Sequence, residues 1–119
     1  MSGIDAYRKN AVATQTPGQL IVMLYEGAIR FLHQATAAIQ AGDHKEKARL
    51  IGKAADIINE LNCSLDVEAG GEVARNLRSL YNFCLRHLHQ AVLTSDAQMV
   101  SDVIACLSEL NEGWKAIAT

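Results

Sequence analysis

Residues 16–42, TPGQLIVMLYEGAIRFLHQATAAIQAG, decide the fold. Thr16 is a helix N-cap by type, Pro17 suits the first helical position, and Gln19 stands where a capping box requires it. Leu20, Leu24, Ala28, Phe31, Ala35 and Ala38/Ile39 then recur at helical steps until Gly42, a natural C-terminal stop. The segment therefore reads as an amphipathic helix. Leu20 to Tyr25 is also an unbroken apolar run, so its side chains point all the way round the helix. One core stripe does not use them all.

The same grammar repeats downstream. Asp43 opens a second helix with Glu46 placed for a capping box, and its stripe is Ile51, Ala54, Ile58, Leu61 and Leu65. Gly70-Gly71 bends or breaks the pattern. A third helix follows with Val73, Leu77, Leu80, Cys84, Leu88 and Ala91 facing inward. Ser95-Asp96-Ala97-Gln98 starts a fourth, carrying Val100, Val103, Leu107, Leu110, Trp114 and Ile117. Helices joined by such short turns run antiparallel to their sequential neighbours. The expected fold is all-α: an antiparallel, up-down-up-down four-helix bundle over residues 16–119. A short N-terminal leader, residues 1–15, is expected to pack on it, with Ile4 and Tyr7 on one side of a helical turn.

Composition narrows the function. The chain has 119 residues, half of them hydrophobic, and a formal charge of −2, which leaves no basic footprint for nucleic acid. No stretch approaches the roughly 18 apolar residues of a membrane span, and MSGIDAYRKN has no signal-peptide core, so a cytosolic location is expected. Cys63, Cys84 and Cys106 are widely spaced and lack a CxxC, and read as reduced core thiols. No Glu has a His three residues later, which argues against a di-iron bundle. Cys84 and His87 share a face but lack further metal ligands, so they read as a core thiol and an edge imidazole. His33 and His87 lack the nearby lysine of a phosphotransfer bundle, and all four histidines read as solvated surface residues. The charges Lys45, Glu46, Lys47, Arg49, Lys53 and Asp56 are expected on a solvated face. Arg75, Arg78 and Arg86 form a strip that would steer an acidic partner. No catalytic constellation, metal site or cofactor is expected.

What remains is apolar surplus. Val22 and Ile29 fall outside the core arc of the first helix, Met23 and Gly27 lie at its edge, and Phe83 and Leu93 fall on the outer side of the third. Gly27 is unfavourable inside a helix, and a close approach by another backbone would account for it. Surplus on several helices together points to an interaction surface, a groove for an amphipathic helix.

Three segments carry a resemblance: DAYRKNAVATQTPGQLIVMLYEGAIRFLHQA, IINELNCSLDVEAGGEVARNLRSLYNFCLRHLHQA and LSELNEGW. The order and spacing of Ala6-Tyr7, Thr16-Pro17, Met23 to Ile29, Gly70-Gly71 and Leu80-Tyr81 resemble the FliS family of flagellar secretion chaperones. The family usually has Asp where this chain has Glu26, which keeps the charge. The resemblance implies a cytosolic helical bundle that binds the disordered C-terminal segment of flagellin 1:1, prevents early polymerisation and delivers it to the export apparatus, docking at an export-gate membrane protein. It implies neither an enzyme nor membrane insertion. Ile4 and Tyr7 would lie in a leader that covers apolar surface until the client displaces it. The binding residues expected are Ile4, Tyr7, Met23, Leu24, Gly27, Leu50, Ile57, Leu61, Leu77 and Tyr81, several of which share one pattern with the core. The other reading is a helical adaptor, or a homodimer through the same surface; monomer and weak homodimer stay open.

Overall fold

A computed structural model describes residues 16–118, so the leader, with Ile4 and Tyr7, lies outside the described residues. Four helices follow one another: α1 Pro17–Ala41, α2 His44–Cys63, α3 Val67–Thr94 and α4 Ala97–Ile117. Their ends are set by local chemistry. Thr16 Oγ1 accepts from the Gln19 N–H while the Gln19 side chain accepts from the Thr16 N–H, a complete capping box. At the other end Gly42 takes φ 72°, its N–H bonding Ile39 and that of Asp43 bonding Ala38, which is a Schellman stop. Asp43 caps α2 as expected, accepting from the Glu46 N–H; α4 is capped by Asp96, accepting from the Gln98 N–H, one residue later than a Ser95–Gln98 box would have it, because Ser95 ends α3 at φ 57°.

The third helix starts earlier than its apolar pattern. Asp66 caps it, accepting from the Ala69 N–H, and the helix passes through a kink at Gly71 (φ 58°, ψ −134°). That conformation suits glycine and few other residues.

Helix α1 packs on α2 and α4, and α3 packs on the same two, so the four form a ring of antiparallel neighbours. Its centre holds Leu24, Ala28, Leu32 and Ala35 of α1, Ile51, Ala54 and Ile58 of α2, Tyr81, Cys84 and Leu88 of α3, and Val100, Val103 and Leu107 of α4.

Four expectations need correction. On α3 the buried line is Ala74, Tyr81, Cys84, Leu88 and Ala91, while Val73 and Leu80 are exposed. The departure is confined to the first half of the helix, where Ala74 and Tyr81 take the places of Val73 and Leu80 and the Tyr81 hydroxyl meets that of Tyr25 on α1; Cys84, Leu88 and Ala91 are buried as expected. On α4, Asn111 rather than Leu110 is buried, and Ile117 is exposed. Cys63 is exposed at the end of α2, whereas Cys84 is buried and Cys106 half-buried. Lys47 is buried: its stem lies inward and Nζ donates to Ser95 Oγ at 2.7 Å, with His44 Nδ1 at 3.3 Å. There the ammonium sits at the C-terminal end of α3, the favourable end of a helix for a cation.

Candidate functional site

Short connections place the end of α2 beside the start of α3, and a Cβ built on Gly18 would stand 3.5 Å from Ala118 Cα. The start of α1, the end of α2, the start of α3 and the end of α4 thus share one end of the bundle.

Three aromatic side chains floor this end. The Tyr25 and Tyr81 hydroxyls meet 2.5 Å apart in the core, joining α1 to α3 across the bundle, and either can donate. The Trp114 ring lies 6.4 Å from that of Tyr25, tilted by 54°. Burial pushes both phenols above the ordinary tyrosine range; hydrogen bonds to Tyr81 and Trp114 partly offset this at Tyr25, while the bond to Tyr25 raises Tyr81 further. Burial, and next the Cys106 side chain, likewise raise the Cys84 thiol, so it is an inert thiol rather than a nucleophile.

Above the floor, the seam between α3 and α4 carries exposed apolar side chains. Lower down the two helices face each other through His87 Nε2 and Asp102 Oδ2, 3.7 Å apart, and Phe83 covers the His87 ring at 4.1 Å. Residues two turns apart lie almost on one line along a helix. Leu80 and Val73 therefore continue the His87 flank toward the open end, and Ile117 continues that of Leu110 on α4. Exposure grows along this line: Leu80 is 37% exposed, Val73 68% and Ile117 70%. Gly113, between them on α4, has open space around it. Only one other large apolar side chain among the described residues is exposed, Leu93 at the far end of α3.

The expected binding residues divide by place. Leu77 is half-buried on α3 and Tyr81 forms the floor, so both belong to this end. Leu24, Leu50, Ile57 and Leu61 are buried in the core. Gly27 is buried against α2, but a Cβ there would meet Ile57 Cδ1 at 3.6 Å, an ordinary contact; no other backbone crowds it. Met23 is half-buried near Lys115 and Ala118 at the α1/α4 edge. No residue of the Leu20–Tyr25 run is fully exposed, and Ile29 packs on the core. The surplus on α1 is largely taken up by α4. Val73, Leu80 and Ile117 were read as core from their spacing; the bend at Gly70-Gly71 is the one sequence signal that marks the start of α3 as a departure from regular packing. The basic strip persists on α3, with Arg78 tied to the Asn62 carbonyl and side chain.

Among the described residues no group of His, Cys, Asp and Glu is placed to hold a metal ion, and no helix is long and apolar enough to cross a membrane. This end of the bundle presents an apolar strip beside an aromatic floor.

The family model described as flagellar protein FliS matches residues 1–119. The flagellar secretion chaperone FliS of Salmonella typhimurium is 43% identical over 98% of this chain and 90% of its own length. That of Vibrio cholerae is 39% identical over 96% and 87%, and FliSB of Pseudomonas aeruginosa 35% identical over 99% and 97%. A crystal structure of a bacterial flagellar chaperone superposes with a TM-score of 0.79 over 97% of this chain and 96% of that one, at 17% identity, which speaks for the fold. Matched over its whole length by sequence and over nearly all of it by shape, the chain belongs to the FliS family.

Proposed function

We propose that this protein is a cytosolic flagellar export chaperone that binds the C-terminal segment of flagellin 1:1 and delivers it to the membrane protein of the export gate. The observation that carries the reading is the apolar strip along the α3/α4 seam, where Val73, Leu80 and Ile117 stand exposed near the Tyr25, Tyr81 and Trp114 rings. Such a strip fits the apolar face of a client helix, with anchors at helical spacing. A disordered client ordered on binding loses several kcal/mol of conformational freedom, which an extended apolar contact offsets.

The test is calorimetric titration with a peptide of flagellin's last 50 or so residues, with circular dichroism on the mixture. Tight 1:1 binding with gain of helix supports the reading. Absence of both heat and added helix, in a folded sample, removes it. Single changes Val73→Ser, Leu80→Ser and Ile117→Ser should each weaken the peptide about tenfold, the loss expected when burial of one aliphatic side chain is removed. Val73 and Ile117, 68% and 70% exposed in the free protein, should leave its stability within about 0.5 kcal/mol on substitution, whereas Leu80, 37% exposed, should cost more. Alanine at Leu24, Leu50, Ile57 or Leu61, by contrast, should lower melting temperature and binding together, because these side chains build the core beneath the surface.

A further inference from the structure

Helix α3 has a second flank, toward α2, and there an apolar groove of about 340 Å³ lies between the two helices. Its α2 wall is made of small residues, Ala48, Gly52 and Ala55, at helical steps. The α3 wall is aliphatic, with Leu85 and Val92 half-buried. No Asp, Glu, Lys or Arg lines the groove. From Ala48 to Asn59 it runs roughly 16 Å at the rise of a helix, room for a helix of about three turns. Past its end, one turn beyond His89, stands Leu93, 68% exposed. Gly52 lies inside α2, where glycine is unfavourable relative to alanine, and a Cβ there would meet nothing within 4 Å. Nothing in the free bundle requires that glycine, whereas a helix packed close against the wall would. The rim adds charge. From Arg75 to Thr94, α3 carries three arginines, two histidines and no acidic residue. Arg75, Arg78 and Arg86 are all exposed, and none makes an ion pair among the described residues. Arg86, three residues before His89, stands on the outer edge of the groove. The acidic neighbours of the lining, Asp56 and Glu60, belong to α2, so the α3 side alone is uniformly basic.

We propose that the α2/α3 groove is a docking site for an amphipathic helix of a partner protein other than the secretion client, with its apolar face against Ala48, Gly52, Ala55 and Leu85 and an acidic flank toward Arg86. Complementary charge of this kind steers encounter and fixes the orientation in which a helix settles. Charge also disfavours the two occupants nearest to hand. A second copy of the chain, seated about a two-fold axis, would set one arginine strip against another. Residues 1–15 carry Arg8 and Lys9 against Asp5 alone, and so bring no acidic flank. The groove and the α3/α4 seam lie on opposite flanks of α3, so a client helix on the seam leaves the groove free.

The test uses the full chain, isotope-labelled for NMR, and a synthetic helical peptide of about 14 residues with alanine and leucine on one face and glutamate along one flank. The glutamate peptide should shift the amide signals of Ala48, Gly52, Leu85 and His89, and added salt should weaken it. The same peptide with lysine for glutamate should bind about tenfold more weakly. Gly52→Gln, which sets a long polar side chain over the small-residue wall, should abolish binding of the glutamate peptide and leave binding of flagellin peptide unchanged. Arg86→Glu should reverse the preference between the two synthetic peptides. Residue 52 has open space and Arg86 is exposed, so both variants should fold, which circular dichroism checks. Equal binding of the two synthetic peptides, or no shift at the groove with either, overturns the proposal. A flagellin peptide that shifts the groove residues and competes with the glutamate peptide assigns the groove to the client and overturns it too. Shifts at the same residues on raising the protein concentration alone assign the groove to a second copy, and shifts there on deleting residues 1–15 assign it to the N-terminal segment; either overturns the proposal. Loss of flagellin binding with the glutamate peptide still seated in the groove sinks the client reading alone.

Discussion

Tyr25 and Tyr81 close the bundle's diagonal with one hydrogen bond between two buried hydroxyls. Tyr81 has Tyr25 as its partner, whereas Tyr25 also bonds Trp114, so the two are not equivalent. Tyr25→Phe leaves the Tyr81 hydroxyl unpaired and should destabilise the protein by about 1–3 kcal/mol, and Tyr81→Phe, which leaves Tyr25 bonded to Trp114, should cost less. The double variant should lose less than their sum, which a denaturant-unfolding cycle measures directly. The same pair fixes the alkaline limit of the fold. Both phenols titrate above the ordinary value of about 10, because burial disfavours the phenolate. For groups whose pKa is raised by folding, the stability they contribute is complete below the unfolded value and is lost as pH rises through the folded one. Ionisation of Tyr25 and Tyr81, followed by phenolate absorbance, should then coincide with loss of helical ellipticity. If the absorbance of all three tyrosines of the chain rises while the helices persist, the pair is not sealed from solvent.

Among the elements, the helix ends were legible and the phase of one helix was not. Caps are chemistry between near neighbours, so Thr16-Pro17-Gly18-Gln19, Gly42, Asp43 and Asp96 announce their helix ends without knowledge of the rest of the chain. The first half of helix α3 is rich enough in apolar residues for two stripes one residue apart to be drawn, and only tertiary contact, with Tyr25 of α1 above all, selects the Tyr81 line. For the same reason Leu77 and Tyr81 could be read as binding candidates, while Val73, Leu80 and Ile117 looked like core. Lys47 is buried by a turn that lies far away in sequence, which no local pattern contains. The glycines separate local from tertiary causes in a way that can be measured. Gly27 has helical surroundings and room for a methyl group, so Gly27→Ala should stabilise the free protein by about 1 kcal/mol and raise its melting temperature by a few degrees. At Gly71, with φ 58° and ψ −134°, the same change should cost about 1–3 kcal/mol. A Gly27→Ala variant that is more stable but binds flagellin peptide poorly would show that the client, rather than the fold, requires the glycine.

At the scale of the molecule, antiparallel topology puts the entry of the chain and its apolar strip at one end. Thr16 precedes α1 beside the last turn of α4, and Val73, Leu80 and Ile117 lie on the adjoining seam. Any segment ahead of Thr16 is thus tethered within a few residues' reach of the proposed client surface, at high effective concentration. Ile4 and Tyr7 supply apolar side chains to such a segment, and we propose that it occupies that surface until the client helix displaces it. Deleting residues 1–15 should accordingly raise the association rate with flagellin peptide, while the melting temperature reports whatever contacts the segment makes. Substituting Ile4 and Tyr7 by serine in the full-length chain should reproduce the faster association without shortening the chain. Stopped-flow mixing with a fluorescent flagellin peptide reads both. Association rates equal to the wild type in the truncated and the substituted chains would show that the seam is open to the client from the start, and that the leader plays no part in guarding it.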